Sequence, residues 1–99
     1  MIAIVWEFIV REEAVPSFRR AYGPDGDWAA LFRQHLGYQG TTLLQDVTAS
    51  ARFLTIDRWQ DEALFKQMRS TSQQEYSRLD ALFGELTKSE RELGVFNCL

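Results

Sequence analysis

The chain has 99 residues, 45% hydrophobic and 25% charged, which describes one ordinary globular domain and not two. Its formal net charge of −3 supplies no basic field to attract a phosphate backbone, so nucleic acid is not an expected partner. No apolar run approaches the ~18–20 residues that span a bilayer, and Met1 to Glu7 lacks the basic start of a signal peptide. The expectation is a single cytoplasmic domain over residues 1–99, away from membranes.

Ile2 to Val10 alternates as a strand, with Ile2, Ile4, Trp6, Phe8 and Val10 on one face and Ala3, Val5, Glu7 and Ile9 on the other. Both faces are largely apolar, which predicts burial on both sides with Glu7 as the exception. Glu12 and Glu13 favour a helix start, Pro16 is tolerated in a first turn, and Ala14, Val15, Phe18, Ala21 and Tyr22 form an apolar stripe. Gly23-Pro24-Asp25-Gly26 breaks that helix. Asp27 is expected to cap a second, short helix with Trp28, Leu31 and Phe32 inside, ending near Leu36-Gly37. The Asp25, Asp27 and Trp28 loop is read as a turn and helix cap; the other reading is a loop covering the cleft mouth. It lacks the bidentate glutamate of a calcium loop.

Gln39 to Val47 and Arg52 to Trp59 read as a hairpin turning at Thr48-Ala49-Ser50. A helical zone follows from Asp61 to about Leu86, carried by Phe65, Met68, Tyr76, Leu79, Phe83 and Leu86, with a break expected at Ser70-Thr71-Ser72. Thr87-Lys88-Ser89-Glu90 has the capping-box pattern and predicts one more helical turn, ended by Gly94 and followed by a closing strand, Val95 to Leu99. The single cysteine, Cys98, excludes an internal disulfide and is expected as a small buried hydrophobe in that strand.

The order β-α-β-β-α-β is the split βαβ, or ferredoxin-like, arrangement of an α+β domain. Its helices cover one face of an antiparallel sheet. The other face would carry residues such as Val5, Ile9, Leu54 and Ile56. So large an apolar patch predicts a homodimer built by packing two sheets face to face.

The chemistry-bearing residues are few. Trp59 ends a strand just before a helix begins, where sheet and helix can leave a cleft; it reads either as a wall for a flat ligand or as core filler. Trp6, Thr55 and Asp57 share the helix-facing parity. Asp57 in apolar surroundings would have a raised pKa suited to proton abstraction; the alternative is a structural contact with Arg78 or with the hydroxyl of Tyr22 or Tyr76. Glu7, on the opposite face, is expected to meet Arg58. His35, the only histidine, is expected near the last carbonyls of its helix. No His/Cys cluster, P-loop, dinucleotide fingerprint or Ser-His-Asp set is present, so no metal and no cofactor is expected.

Val5-Trp6-Glu7-Phe8, Gly37-Tyr38-Gln39-Gly40-Thr41 and Trp59 followed by Asp61-Glu62-Ala63-Leu64-Phe65 together resemble the antibiotic biosynthesis monooxygenase type of the dimeric α/β barrel superfamily, across essentially the whole chain. Against the cofactor-free anthrone oxygenases of that type, the strand-end tryptophan matches at Trp59. The pocket asparagine falls at Thr55, the helix tyrosine at Phe65, and the helix arginine near Arg78. The heme-degrading branch fits less well. Its first-strand asparagine falls at Trp6, and its iron-ligating histidine falls at Arg78, which has no lone pair to donate. The resemblance implies a cofactor-independent monooxygenase acting on a flat, largely apolar or aromatic small molecule. The expected cleft is lined by Trp6, Thr55, Asp57, Trp59, Phe65 and Tyr76, with Asp57 as base and Arg78 stabilising the anion. A non-catalytic dimeric binding or scaffold module, with its cleft packed shut, and an isomerase or cyclase on the same barrel are the other readings.

Overall fold

A computed structural model describes residues 1–99. Four strands, β1 (Ile2–Val10), β2 (Tyr38–Gln45), β3 (Arg52–Trp59) and β4 (Thr87–Asn97), form one antiparallel sheet in the order β2-β3-β1-β4. Helices α1 (Val15–Tyr22), α2 (Asp27–Phe32), α3 (Glu62–Thr71) and α4 (Gln73–Phe83) cover one face. This is the ferredoxin-like α+β fold expected from the order of elements.

Alternation in the central strands decides which face is covered. Ile2, Ile4, Phe8 and Val10 from β1 and Phe53 and Trp59 from β3 are buried in one cluster with Phe18 and Tyr22 of α1, Trp28, Leu31 and Phe32 of α2, Met68 of α3 and Leu79 of α4. Val5, Ile9, Leu54 and Ile56 lie on the opposite face and stay only partly buried, while Leu44 and Phe96 remain 43% and 51% exposed. The register that pairs Val5 with Ile56 and Glu7 with Leu54 makes this second face continuous across β1 and β3.

Several local expectations are corrected. Residues 87–90 form no helical turn: β4 runs unbroken from Thr87 to Asn97 along the outer edge of β1. A four-residue capping pattern offers a few hydrogen bonds, whereas the free edge of β1 satisfies the backbone of a whole strand. Gly26, not Asp27, occupies the cap of α2, and Asp27 is its first residue. A Cβ at Gly26 would stand 2.2 Å from the carbonyl oxygen of Arg20, so only glycine lets α2 start this close to α1. The short helix also ends at Phe32, before Leu36.

Glu7 pairs with Arg52 (2.7 Å) and Arg91 (3.2 Å), while Arg58 instead donates to the Thr42 hydroxyl. Cross-strand neighbours decide this, since Arg91 stands directly opposite Glu7 and Arg58 stands opposite Ala3. His35 lies beyond α2, its Nε2 2.6 Å from Ser72 Oγ at the break between α3 and α4. Cys98 lies past the end of β4 and is exposed.

Candidate functional site

The side of β3 that faces the helices carries Phe53, Thr55, Asp57 and Trp59, and the hairpin register sets Thr41 of β2 opposite Asp57. A cavity of about 200 Å³ opens above this part of the sheet. Asp57, Thr41 and Thr55 supply its polar side. Trp6, Phe8, Tyr22, Trp28, Phe32 and Tyr76 supply its aromatic walls, and Arg69, Asp80 and Glu90 its exposed rim.

Asp57 is the chemical centre of this arrangement. Surrounding protein atoms desolvate it, and this raises its pKa from an ordinary 3.8 to about 6. The Thr41 hydroxyl, donating to Oδ1 at 2.6 Å, and the nearby charge of Arg58 oppose the rise without cancelling it. A carboxylate with such a pKa is ionised near neutral pH yet basic enough to take a proton from a weakly acidic carbon or hydroxyl. Burial also raises the pKa of the Tyr22 and Tyr76 hydroxyls, and that of Glu90, where Asp80 adds to the effect. The phenols therefore stay neutral donors.

The structure brings four of the expected residues together: Trp6, Thr55, Asp57 and Tyr76 all line the cavity. Trp59 does not. It is fully buried one layer behind, edge-on to Phe32 and Phe65 at 5.6 and 5.8 Å and tilted against Tyr38 at 5.3 Å, so it is core filler and not a wall. Phe65 lines a separate outer groove with Arg69 and Tyr76. Arg78 is exposed and touches neither space. The guanidinium at the cavity is that of Arg69, whose Cζ sits 4.1 Å from the centroid of the Tyr76 ring. Arg69, on α3, borders the cavity, and Arg78, on α4, does not.

Besides Arg69, further lining residues were not assigned to the cavity in the sequence reading, and Thr41, Glu90 and Trp28 show the different reasons. Thr41 was within reach of it: reflecting Asp57 through the hairpin turn at Ala49 lands on position 41. Glu90 was hidden by the helical reading of its segment; as part of β4 it stands opposite Phe8 and shares its face. Trp28 reads as an interior residue of α2, and only the packing of that helix against Tyr22 and Tyr76 puts its ring at the cavity. Its indole N–H is buried beside the Tyr22 hydroxyl. No group of three or more His, Cys, Asp or Glu side chains is placed to hold a metal, and no helix is long and apolar enough to cross a membrane.

No family model matches the chain, and no curated protein matches it in sequence. Solved structures do. SnoaB, a cofactor-independent oxygenase from Streptomyces nogalater, superposes in its N63A form with a TM-score of 0.74 at 21% identity, over 98% of this chain and 91% of that one. A Deinococcus radiodurans protein provisionally named an antibiotic biosynthesis monooxygenase gives 0.79 at 12% identity, over 100% and 93% of the two chains. A further antibiotic biosynthesis monooxygenase gives 0.70 at 16% identity, over 100% and 99%. The chain thus has the fold of the antibiotic biosynthesis monooxygenases.

Proposed function

We propose that the protein is a cofactor-independent monooxygenase of the antibiotic biosynthesis monooxygenase type, acting on a flat, largely apolar or aromatic small molecule. The observation that carries this reading is a carboxylate of raised pKa, Asp57, set in an aromatic cavity. The fold shared with SnoaB supports it. A packed-shut cleft, which a scaffold module would have, is not what lies over Thr55 and Asp57.

Trp6, Tyr22, Trp28 and Tyr76 would hold the substrate away from water. Asp57 would take a proton from its activated CH₂ group, and Arg69 at the rim would stabilise the resulting anion. That electron-rich anion supplies both electrons to O₂. The peroxide formed after protonation loses water, so CH₂ and O₂ become C=O and H₂O with no external reductant.

Oxygen uptake with anthrone as probe tests this. Asp57→Asn is expected to lower kcat/KM about 10²-fold, and the wild-type rate is expected to rise with pH through about 6 as the carboxylate ionises. Unchanged turnover in Asp57→Asn removes Asp57 from the mechanism. Failure of the wild type to consume oxygen with anthrones and quinols removes the oxygenase reading. It would leave a proton-transfer isomerase or cyclase, which would use the same carboxylate. The working unit in this reading is a homodimer joined through the uncovered sheet face, which no element of the chain itself covers.

A further inference from the structure

The cavity holds more negative charge than the chain itself neutralises. Three carboxylates line it, Asp57, Asp80 and Glu90, against the single guanidinium of Arg69. Arg69 is stacked on Tyr76 and pairs with none of them; the ion pairs of the chain lie elsewhere. Burial, and then the nearby charge of Asp80, raise the pKa of Glu90. On the sheet, Asp57 Oδ1 accepts from the Thr41 hydroxyl at 2.6 Å, which itself lies 2.6 Å from that of Tyr38, while no donor of the chain reaches Oδ2. The walls have the same preference for positive charge. Trp28 meets Tyr76 edge-on at 4.8 Å and is tilted against Tyr22 at 6.0 Å, and Trp6 adds a further ring from β1, so aromatic groups converge from different directions. The negative face of such rings attracts a cation. The Tyr22 side chain is only 7% exposed, and its hydroxyl lies within the field of Glu90 and Asp80; that of Tyr76 lies within the field of all three carboxylates.

The geometry points to a substrate that joins a flat aromatic body to a protonated amine, the body between the rings and the ammonium at Asp80 and Glu90. This inference rests on the reading of the cavity as the substrate site, and it narrows the substrate class. An ammonium has donors and no acceptor, so it can serve both rim carboxylates and a tyrosine oxygen together. A substrate bearing a carboxylate meets like charge there, and a neutral one leaves the two rim charges unpaired. Arg69 does not fill this role, because its guanidinium lies over the Tyr76 ring and towards Phe65, at 4.1 and 5.9 Å from the two centroids. Arg91, next to Glu90 on β4, donates instead to Glu7 on the other face of the sheet. With the ammonium held at the rim, Asp57 on the sheet stays free to take the proton. Water and salt weaken each exposed contact, so the selection comes from rim and ring faces acting together.

Three two-ring probes of similar shape read the charge preference: 2-naphthylmethylammonium, the neutral 2-naphthylmethanol and the anion 2-naphthoate. Calorimetric titration of the full chain at neutral pH and low salt is expected to find the ammonium bound at least about tenfold tighter than the alcohol, with the carboxylate weakest. Asp80→Asn combined with Glu90→Gln is expected to bring the ratio of ammonium to alcohol affinity close to one. Reading a ratio cancels any general loss of binding or stability. Glu12→Gln combined with Glu75→Gln removes as much charge from exposed positions outside the cavity and is expected to leave the ratio in place, which separates the rim from the overall charge of −3. Equal affinities for ammonium and alcohol in the wild type, no binding of the ammonium, or a ratio that survives the Asp80 and Glu90 changes overturns the inference. Neither titration involves oxygen, so the two proposals fail separately. A chain that selects the ammonium but consumes no oxygen with anthrones or quinols loses the oxygenase reading alone. One that oxidises anthrone without preferring the ammonium probe loses this inference alone.

Discussion

Asp57 shows how one side chain ties the cavity to stability. Its folded pKa of about 6 stands above the ordinary 3.8, so between those values the folded chain keeps a proton that the unfolded chain has lost. Stability from this group is therefore fully present below 3.8, declines as pH rises through about 6, and stays reduced above it. The shift corresponds to at most about 3 kcal/mol. Asp57→Asn keeps an acceptor for Thr41 and removes the charge, so urea unfolding at pH 8 is expected to find the variant more stable than wild type by about 2 kcal/mol, with the gap closing at pH 4. Asp46 has the opposite sign. Backbone N–H groups of Thr48 and Ala49, then Arg52, hold its pKa down to about 2, so its contribution is present above 3.8 and is lost only as pH falls towards 2. The two windows do not overlap. Glu90, also raised by burial, adds to the slope above pH 4, so the difference between wild type and Asp57→Asn is what isolates Asp57. Parity along β3 already set Asp57 and Thr55 towards the helices. It set Trp59 there too, but parity cannot tell a cavity wall from the layer behind it.

At the scale of elements, the strands at the centre of the sheet were legible. β1 and β3 span the residues that alternation marks, because β1 is apolar along its core face and β3 sets Phe53 and Trp59 at the two ends of its own. The break between α3 and α4 was legible as well, from Ser70-Thr71-Ser72. Of β4 only the end from Val95 was, because an edge strand with few buried side chains has no amphipathic period to read. Connections carry strain that can be tested. Gly37 and Gly40 both have positive φ, +96° and +117°, but a Cβ at Gly37 would also stand 2.6 Å from Leu64 Cδ1, whereas one at Gly40 meets nothing within 4 Å. Gly37→Ala is expected to lower stability by about 2–3 kcal/mol and Gly40→Ala by about 1. Equal losses in thermal unfolding would show that the clash with Leu64, which joins β2 to α3, is relieved without cost.

For the whole molecule, the uncovered sheet face is the open account. Ala3, Val5, Ile9, Leu54 and Ile56 form an apolar strip beside the Glu7–Arg52–Arg91 group, and no helix of the chain covers it. If two copies meet there, Ile56→Asp buries an unpaired charge at the centre of the contact. Sedimentation is expected to find a wild-type dimer and an Ile56→Asp monomer at micromolar concentration. A wild-type monomer that is stable and well folded under those conditions would refute the sheet-to-sheet assembly.

The amino-acid order by itself determined the antiparallel ferredoxin-like layout, the side of the sheet that holds Asp57, and the excess of apolar surface on the other side. Period, glycine breaks and strand parity are local properties, and they survive into the fold unchanged. The tertiary structure alone decided that Trp59 is sealed in the core, that Arg69 replaces Arg78 at the rim, and that Tyr38, Thr41 and Asp57 line up. Those outcomes depend on how far α2, α3 and α4 stand from the sheet and on how each is turned about its axis. Packing across the core sets both, and no short stretch of sequence encodes them.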